Sequence, residues 1–197
     1  MAIITTGVDL LRHGEVQGGN CYRGISDDPL SSTGWKQMTA KIPPQVHWDI
    51  IICSPLIRCQ AFAESLATKL QHPLISIPAL QEIDFGDWEG KTAAQIDANL
   101  LEKFYANPTE FTPPNGEHFI DFQQRVLTAW QMLLKQYQGK QICLITHAGV
   151  IRIILARVLG IDTQHSFRLK IGHACLSRVE CFHDNKSADF IQLVQHG

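Results

Sequence analysis

Charge of either sign is sparse in this sequence: 17 Lys and Arg against 19 Asp and Glu in 197 residues leave a formal charge of −2. A chain without a basic surplus has no general field for a polyanion. Nucleic acid is therefore not an expected partner, and an anionic ligand would have to be held by a local cluster. Long apolar runs are also absent. No stretch reaches the roughly 20 residues of a membrane span, and Met1-Ala2-Ile3-Ile4-Thr5-Thr6 has no basic residue of the kind that opens a secretory leader. The expectation is no membrane association and a cytoplasmic location. The six cysteines (Cys21, Cys53, Cys59, Cys143, Cys175 and Cys181) include no C-x-x-C pair. They read as small buried residues of a reducing compartment, not as disulfides or zinc ligands. No H-x-x-x-H or D-x-D falls at an expected helix or strand end, so no metal and no cofactor is expected. Internal repeats and low-complexity tracts are missing as well.

What the chain has in quantity is apolar residues, 45% of the total. That supports a sizeable core, and the length suits one domain over 1–197 with a helical insertion at about 91–138. The run from Ile3 to Leu11 reads as a strand. Residues 14–32, rich in Gly, Ser, Asp, Asn and Pro, read as a long loop at its end, and long loops in compact domains tend to be functional. "LSSTGWKQMTAKI" restarts a helical pattern, with Ser31 or Ser32 as its N-cap. "WDIIICSP" (48–55) has the continuous, β-branched character of a strand buried on both faces, and "LIRCQAFAESLATKL" (56–70) follows with helical spacing. The same strand–turn–helix order returns at "KQICLITH" (140–147) and "AGVIRIILARVLG" (148–160). Two such units imply an α/β fold: a mostly parallel central sheet flanked by helices on both faces. Between them the pattern predicts a short strand at "LISIPAL", the loop "QEIDFGDWEG", and helices at about 91–105 and 117–138. Phe119, Phe122, Val126, Trp130, Leu133 and Leu134 of the second helix have core spacing. Two late strands are expected at roughly 172–182 and 188–194, joined by a turn at 183–189. The second is a candidate edge for pairing with another copy, as a homodimer.

In parallel α/β sheets ligands bind beyond the carboxyl ends of the strands. The first expected strand ends at Arg12-His13. The second ends at Ser54-Pro55, with Arg58 in the first turn of the next helix. The third ends at Thr146-His147, followed by Ala148-Gly149 at a helix start. Side by side, these ends would aim two arginines, two histidines and a helix N-terminus at one spot. Adjacent cations such as Arg12 and His13 disfavour each other unless exposed or sharing an anion. Guanidinium forks and free helix N–H groups suit a phosphoryl group. A small-molecule phosphate ester is the expected partner.

"LLRHGE", "CSPLIRCQAFAE", "EIDFGDWEG" and "ITHAGVIR", in that order across residues 10–152, resemble the histidine phosphatase, or phosphoglycerate-mutase-like, superfamily. Within it, "CYRGISDDPLSSTGWKQM" and "EIDFGDWEG" resemble the α-ribazole phosphatase branch of cobalamin assembly. The resemblance implies a phosphoglycerate-mutase-like fold and a phosphomonoesterase in which His13 is the nucleophile. It further implies that Arg12, Arg58 and His147 hold the phosphoryl oxygens and that Glu82 is the general acid, chosen over its neighbours Asp84 and Glu89 by the family match alone. The physics agrees for His13: nearby arginines favour a neutral ring, and a backbone carbonyl just after it would set the tautomer. Glu15 would be a supporting partner or simply the end of its motif.

The loop 16–30 is expected to contact substrate through Tyr22 and Arg23, with Asn20 and the backbone at Ala148 near phosphate. Mutases of the superfamily place an asparagine six residues after the histidine, whereas here that position is Gly19 and Asn20 follows it. His173, on the first late strand, faces either the pocket or the solvent, and a structural role is the favoured reading. The shortness of the chain favours hydrolysis over mutase chemistry, which needs covering segments to keep a phosphoenzyme dry. A general sugar or nucleotide phosphatase is the alternative. Rivals of other classes are a metal-dependent hydrolase built on the same histidines and carboxylates, and a non-catalytic phospho-ligand module. Two arginines facing a dication oppose the first, and the presence of both nucleophile and acid opposes the second.

Overall fold

The computed structural model describes residues 4–184 and 188–197. Ile3 of the first expected strand, and 185–187 of the expected turn 183–189, lie outside them. The elements run β1 (Ile4–Arg12), α1 (Ser32–Lys41), β2 (Ile50–Cys53), α2 (Ile57–Leu70), β3 (Leu74–Ser76), α3 (Ala98–Ala106), α4 (Phe119–Gln136), β4 (Gln141–Thr146), α5 (Ala148–Leu159), β5 (Leu176–His183) and β6 (Phe190–His196). They build one mixed, mostly parallel sheet in the order β3-β2-β4-β1-β5-β6. Strands β1 to β4 are mutually parallel, and β5 and β6 join as an antiparallel pair at the β1 side, leaving β6 at the edge.

The alternation of side chains along each strand sets the layers. Val8, Leu10, Ile50, Ile52, Ile142 and Leu144 face one way and pack with α4 and α5. Leu11, Ile51, Cys53, Cys143 and Ile145 face the other way and pack with α1 and α2. The continuous apolar strands are thus buried on both sides by helices, as in other parallel sheets. The stripe on α4 is fully used: Phe122 and Val126 are completely buried, and truncating Phe122 to Ala would cost about 3–5 kcal/mol.

The register positions the site. Arg12 at the end of β1 pairs with Thr146 of β4, and Cys53 of β2 pairs with Ile145. The next residues, His13, Ser54 and His147, therefore leave the sheet at one edge. Hydrogen bonds from His13 N to Thr146 O (2.9 Å) and Ser54 N to Ile145 O (3.0 Å) carry the ladder up to that point. Ser31, rather than Ser32, caps α1, its hydroxyl accepting the Gly34 N–H at 3.0 Å. Gly14 touches this helix so closely that a β-carbon would stand 2.3 Å from Gly34 O.

Two sequence expectations change. The segment 91–105 is not one helix: a single 3-10 turn at Ala93–Gln95 precedes α3, because Asp97 caps a new helix at Asn99. The late strand begins at Leu176, not 172. His173 and Ala174 form a turn, with Ala174 at φ 51°, and the Ala174 N–H returns to His13 O at 3.2 Å. Helix α3 is held by a small aromatic cluster of its own around Trp88, Ile96 and Phe104, against which Tyr22 and Phe85 pack.

Candidate active site

His13 is the first residue beyond β1 and is 7% exposed. Its Nδ1 lies 2.8 Å from Gly14 O. A carbonyl only accepts, so Nδ1 carries the proton and Nε2 keeps its lone pair. Burial above all, then the charges of Arg12 and Arg58, hold its pKa well below the ordinary 6.5. The result is a neutral imidazole with a fixed tautomer.

Three basic groups surround it, at different depths. Arg12 donates from Nη1 to Ile171 O at 2.8 Å, while its buried Nε has no partner among the described residues. Burial lowers its pKa to about 10, with Glu82 opposing, so it stays charged at neutral pH. Arg58 is completely buried. Its Nη1 donates to Ser26 O at 2.6 Å, its Nη2 to Gly24 O, and its Nε to His147 Nδ1 at 3.3 Å. Accepting at Nδ1 leaves the His147 proton on Nε2, which donates to Ser54 Oγ at 2.7 Å. Burial first, then Arg58, keep His147 neutral well below 6.5. Its ring meets His13 edge-on, 5.2 Å between centroids. Arg58 and His147 thus form a layer behind His13 and do not line the cavity. Each terminal nitrogen of Arg58 nonetheless keeps a second N–H beyond those given to Gly24 and Ser26.

The carboxylates separate cleanly. Glu82, 8% exposed, lines the cavity with Arg12 and His13. Its Oε2 accepts the Gly149 N–H at 2.9 Å and its Oε1 the Ile83 N–H at 3.1 Å. Arg125 holds the loop from outside, donating to Glu82 O at 3.0 Å and pairing with Glu117 at 2.6 Å. Asp84 instead caps the Gly86 N–H at 2.7 Å. Glu89 points at the long loop, accepting the N–H groups of Gly24, Ile25, Ser26 and Phe85. All three accept backbone N–H groups, and Glu82 is the one of the three that lines the cavity.

The cavity holds about 730 Å³ and its outer wall is the loop after His13. Tyr22 lines it, with its hydroxyl 2.8 Å from that of Tyr105 on α3 and its ring edge-on to Phe85 and Trp88. Arg23 also lines it, but its fork is turned into the loop, pairing with Asp28 at 2.6 Å and donating to Gln17 O at 3.0 Å. Asn20 is exposed on the cavity wall. Ala148 is buried and does not reach the cavity, in contrast to its expected place beside the phosphate. The neighbouring helix N–H, at Gly149, is spent on Glu82.

The sequence pattern of the Histidine phosphatase superfamily (branch 1) matches residues 8–193. The chain belongs to this superfamily. It is 30% identical over 178 residues to the adenosylcobalamin/α-ribazole phosphatase of Escherichia coli, covering 87% of this chain and 88% of that protein. It is also 30% identical over 181 residues to the uncharacterised phosphatase PhoE of Bacillus subtilis, covering 89% and 88%. Among solved structures, the α-ribazole phosphatase of Shigella flexneri superposes with a TM-score of 0.82 at 29% identity, over 96% of this chain and 95% of that one.

Membership makes this chain a histidine phosphatase with the phosphoglycerate-mutase-like fold. No helix among the described residues is long and apolar enough to cross a membrane. For one residue of this phosphatase's cavity the sequence left two orientations open. His173 lines the cavity with its ring 6.1 Å from that of His13, in place of the structural role expected on a strand. Only the antiparallel pairing of β5 with β1, which sets the start of β5 beside the end of β1, brings it there. Glu15 also lines the cavity and accepts the Ser31 hydroxyl at 2.6 Å, so the cap of α1 is part of the site wall.

Proposed function

We propose that this histidine phosphatase hydrolyses a small phosphate monoester through a phosphohistidine on His13. One observation carries the reading. A neutral imidazole with a bare Nε2 shares a cavity with the Glu82 carboxylate and with a guanidinium whose buried Nε has no partner among the described residues. A buried donor left unpaired costs about 1–3 kcal/mol, and a phosphoryl oxygen would supply the missing acceptor.

In the proposed reaction His13 Nε2 attacks phosphorus and the P–O ester bond breaks. Protonated Glu82 gives its proton to the leaving oxygen, releasing an alcohol. Water then attacks the phosphohistidine, Glu82 takes a proton from it, and the P–N bond breaks to give phosphate and free His13. Arg12 holds the non-bridging oxygens, where charge spreads during transfer. Arg58 adds its charge and spare N–H groups from behind. His147 would reach an oxygen only by exchanging its Ser54 partner. Guanidinium groups perform the charge stabilisation, and the scheme calls on no metal or cofactor in the cavity.

The favoured substrate is α-ribazole 5′-phosphate, in cobalamin assembly. The support is the α-ribazole phosphatases among the relatives, together with a cavity whose aromatic wall of Tyr22 and Phe85 suits a flat leaving group. Six free cysteines fit a reducing cytoplasm. The test is a kinetic panel of α-ribazole phosphate, 2,3-bisphosphoglycerate, fructose bisphosphates and nucleotides, with vanadate and chelator controls. The highest kcat/KM is expected for α-ribazole phosphate, with inhibition by vanadate and none by brief chelation. A sugar phosphate or nucleotide turned over faster would displace the substrate, and loss of turnover on chelation would displace the mechanism.

A further inference from the structure

At the end of the sheet opposite the catalytic cavity, three side chains of different chemistry close on one point. Cys181 and His183, two apart on β5, project to the same face, and Asp189 meets them at the start of β6. Cys181 Sγ lies 3.8 Å from His183 Nδ1 and 3.8 Å from Asp189 Oδ2, and the latter two atoms are 2.8 Å apart. Among the described residues no other three such side chains bring their ligand atoms together in this way. Around tetrahedral zinc, with bonds of about 2.3 Å to sulfur and about 2.0–2.1 Å to nitrogen or oxygen, neighbouring donor atoms stand roughly 3.3–3.6 Å apart. The observed triangle departs from that by about half an ångström at most.

The surroundings also suit a metal-binding imidazole. His183 Nε2 is 2.7 Å from Thr6 Oγ1. Thr6 Oγ1 accepts the Gly139 N–H at 3.0 Å, and the Tyr137 carbonyl, 3.4 Å away, can take its own proton. Thr6 is therefore able to accept from Nε2, which leaves the Nδ1 lone pair toward the thiol and the carboxylate, with the Gln138 amide 3.4 Å away as the one other neighbour given to it among the described residues. Metal-bound histidines characteristically donate their other ring N–H to such a partner. Cys181 and His183 are buried, while the Asp189 side chain is 39% exposed, which leaves an entry and room for a water as fourth ligand.

We propose that Cys181, His183 and Asp189 bind one zinc ion that clips the end of β5 to the start of β6. Thiolate, imidazole and carboxylate together suit this borderline-soft ion, and the two anionic ligands offset its charge. On binding, the Cys181 thiol releases its proton. The ring proton of His183 moves from Nδ1, where Asp189 accepts it in the metal-free form, to Nε2, where Thr6 does. Burial and the nearby carboxylate push the Cys181 thiol up to about 12, so the ion binds by displacing that proton, not by meeting a standing thiolate. The ladder separates this site from the cavity. His183 pairs with Ile4 and Leu176 with Leu11, a span of seven residues, or roughly 24 Å. The clip therefore acts on stability and not on turnover.

The experiment uses the full chain, treated with chelator, desalted, and titrated with Co²⁺ and then Zn²⁺. The expected result is one Co²⁺ per chain with a thiolate-to-cobalt charge-transfer band, bleached by one equivalent of Zn²⁺, and a Zn²⁺-dependent rise in Tm at unchanged kcat. Cys181→Ser should lose the band. Asp189→Asn, at a half-exposed position that does not threaten folding, should weaken Zn²⁺ binding. Thr6→Val should weaken it by about 10–100-fold while keeping the band at saturation. Absence of the band in the wild-type chain would overturn the proposal. So would Zn²⁺ that binds Cys181→Ser and Asp189→Asn as tightly as wild type, or that binds only with loss of turnover, since either result assigns the ion to the cavity histidines.

Discussion

The Gly149 amide donates to Glu82 Oε2 at 2.9 Å, and a β-carbon at position 149 would stand 2.1 Å from Glu82 Oε1. The start of α5 thus both holds the carboxylate and sets how close it comes. In a helix, Gly→Ala ordinarily stabilises by up to about 1 kcal/mol. Gly149→Ala is expected to keep the fold and to lower kcat by about 100-fold, because the carboxylate is displaced by an ångström or so. Circular dichroism and steady-state kinetics on the same sample check this. Glu82→Gln should also slow turnover and change its pH profile.

His13 and His147 are both held neutral well below 6.5, chiefly by burial and then by the arginines beside them. A folded-state pKa below the unfolded value means that the unfolded chain binds protons the folded chain refuses. Stability is therefore unaffected above about pH 6.5 and falls as pH drops below it, toward the depressed folded values. Denaturant titrations between about pH 7.5 and pH 5 should show that loss. For the same reason the acid limb of kcat/KM assigned to the nucleophile should lie below 6.5.

Arg12 lines the cavity, and its buried Nε has no partner among the described residues. Phosphate or vanadate should raise the Tm of the wild-type chain by occupying it. Arg12→Ala should abolish most of that rise and lower kcat by about 10²–10³-fold, the usual cost of a lost oxyanion donor. Isothermal titration and thermal shift with vanadate would report both.

Glu89 accepts the amides of Gly24, Ile25, Ser26 and Phe85, and Arg58 grips the carbonyls of Gly24 and Ser26 from the opposite side. Glu89→Gln replaces one acceptor oxygen with a donor facing other donors. It should cost about 1–3 kcal/mol and raise KM more than it lowers kcat, since the disturbed loop carries Tyr22 and Asn20.

The strand ends that carry Arg12, His13 and His147 were legible because apolar runs and turn residues mark the edge of a parallel sheet without any tertiary knowledge. The tautomer of His13 was nearly legible, since its acceptor is the next residue in the chain. What pattern could not show was direction. Glu82, Asp84 and Glu89 share one short loop, and only the Gly149 amide, the Gly86 turn and the loop at 24–26 sort them. Arg58 has the spacing of a helix-start anion binder, yet its burial comes from carbonyls more than thirty residues away in the chain. His173 follows no periodicity because it sits in a turn, and its place beside His13 comes from the β1–β5 pairing.

The most direct test is to trap the covalent intermediate. The wild-type chain, mixed briefly with a ³²P-labelled phosphate monoester and quenched in alkali, should carry label that survives base, is lost in acid, and maps to the peptide containing His13. His13→Ala should carry none and turn nothing over. Label that persists in His13→Ala, or full turnover without any labelled protein, would contradict a nucleophilic His13.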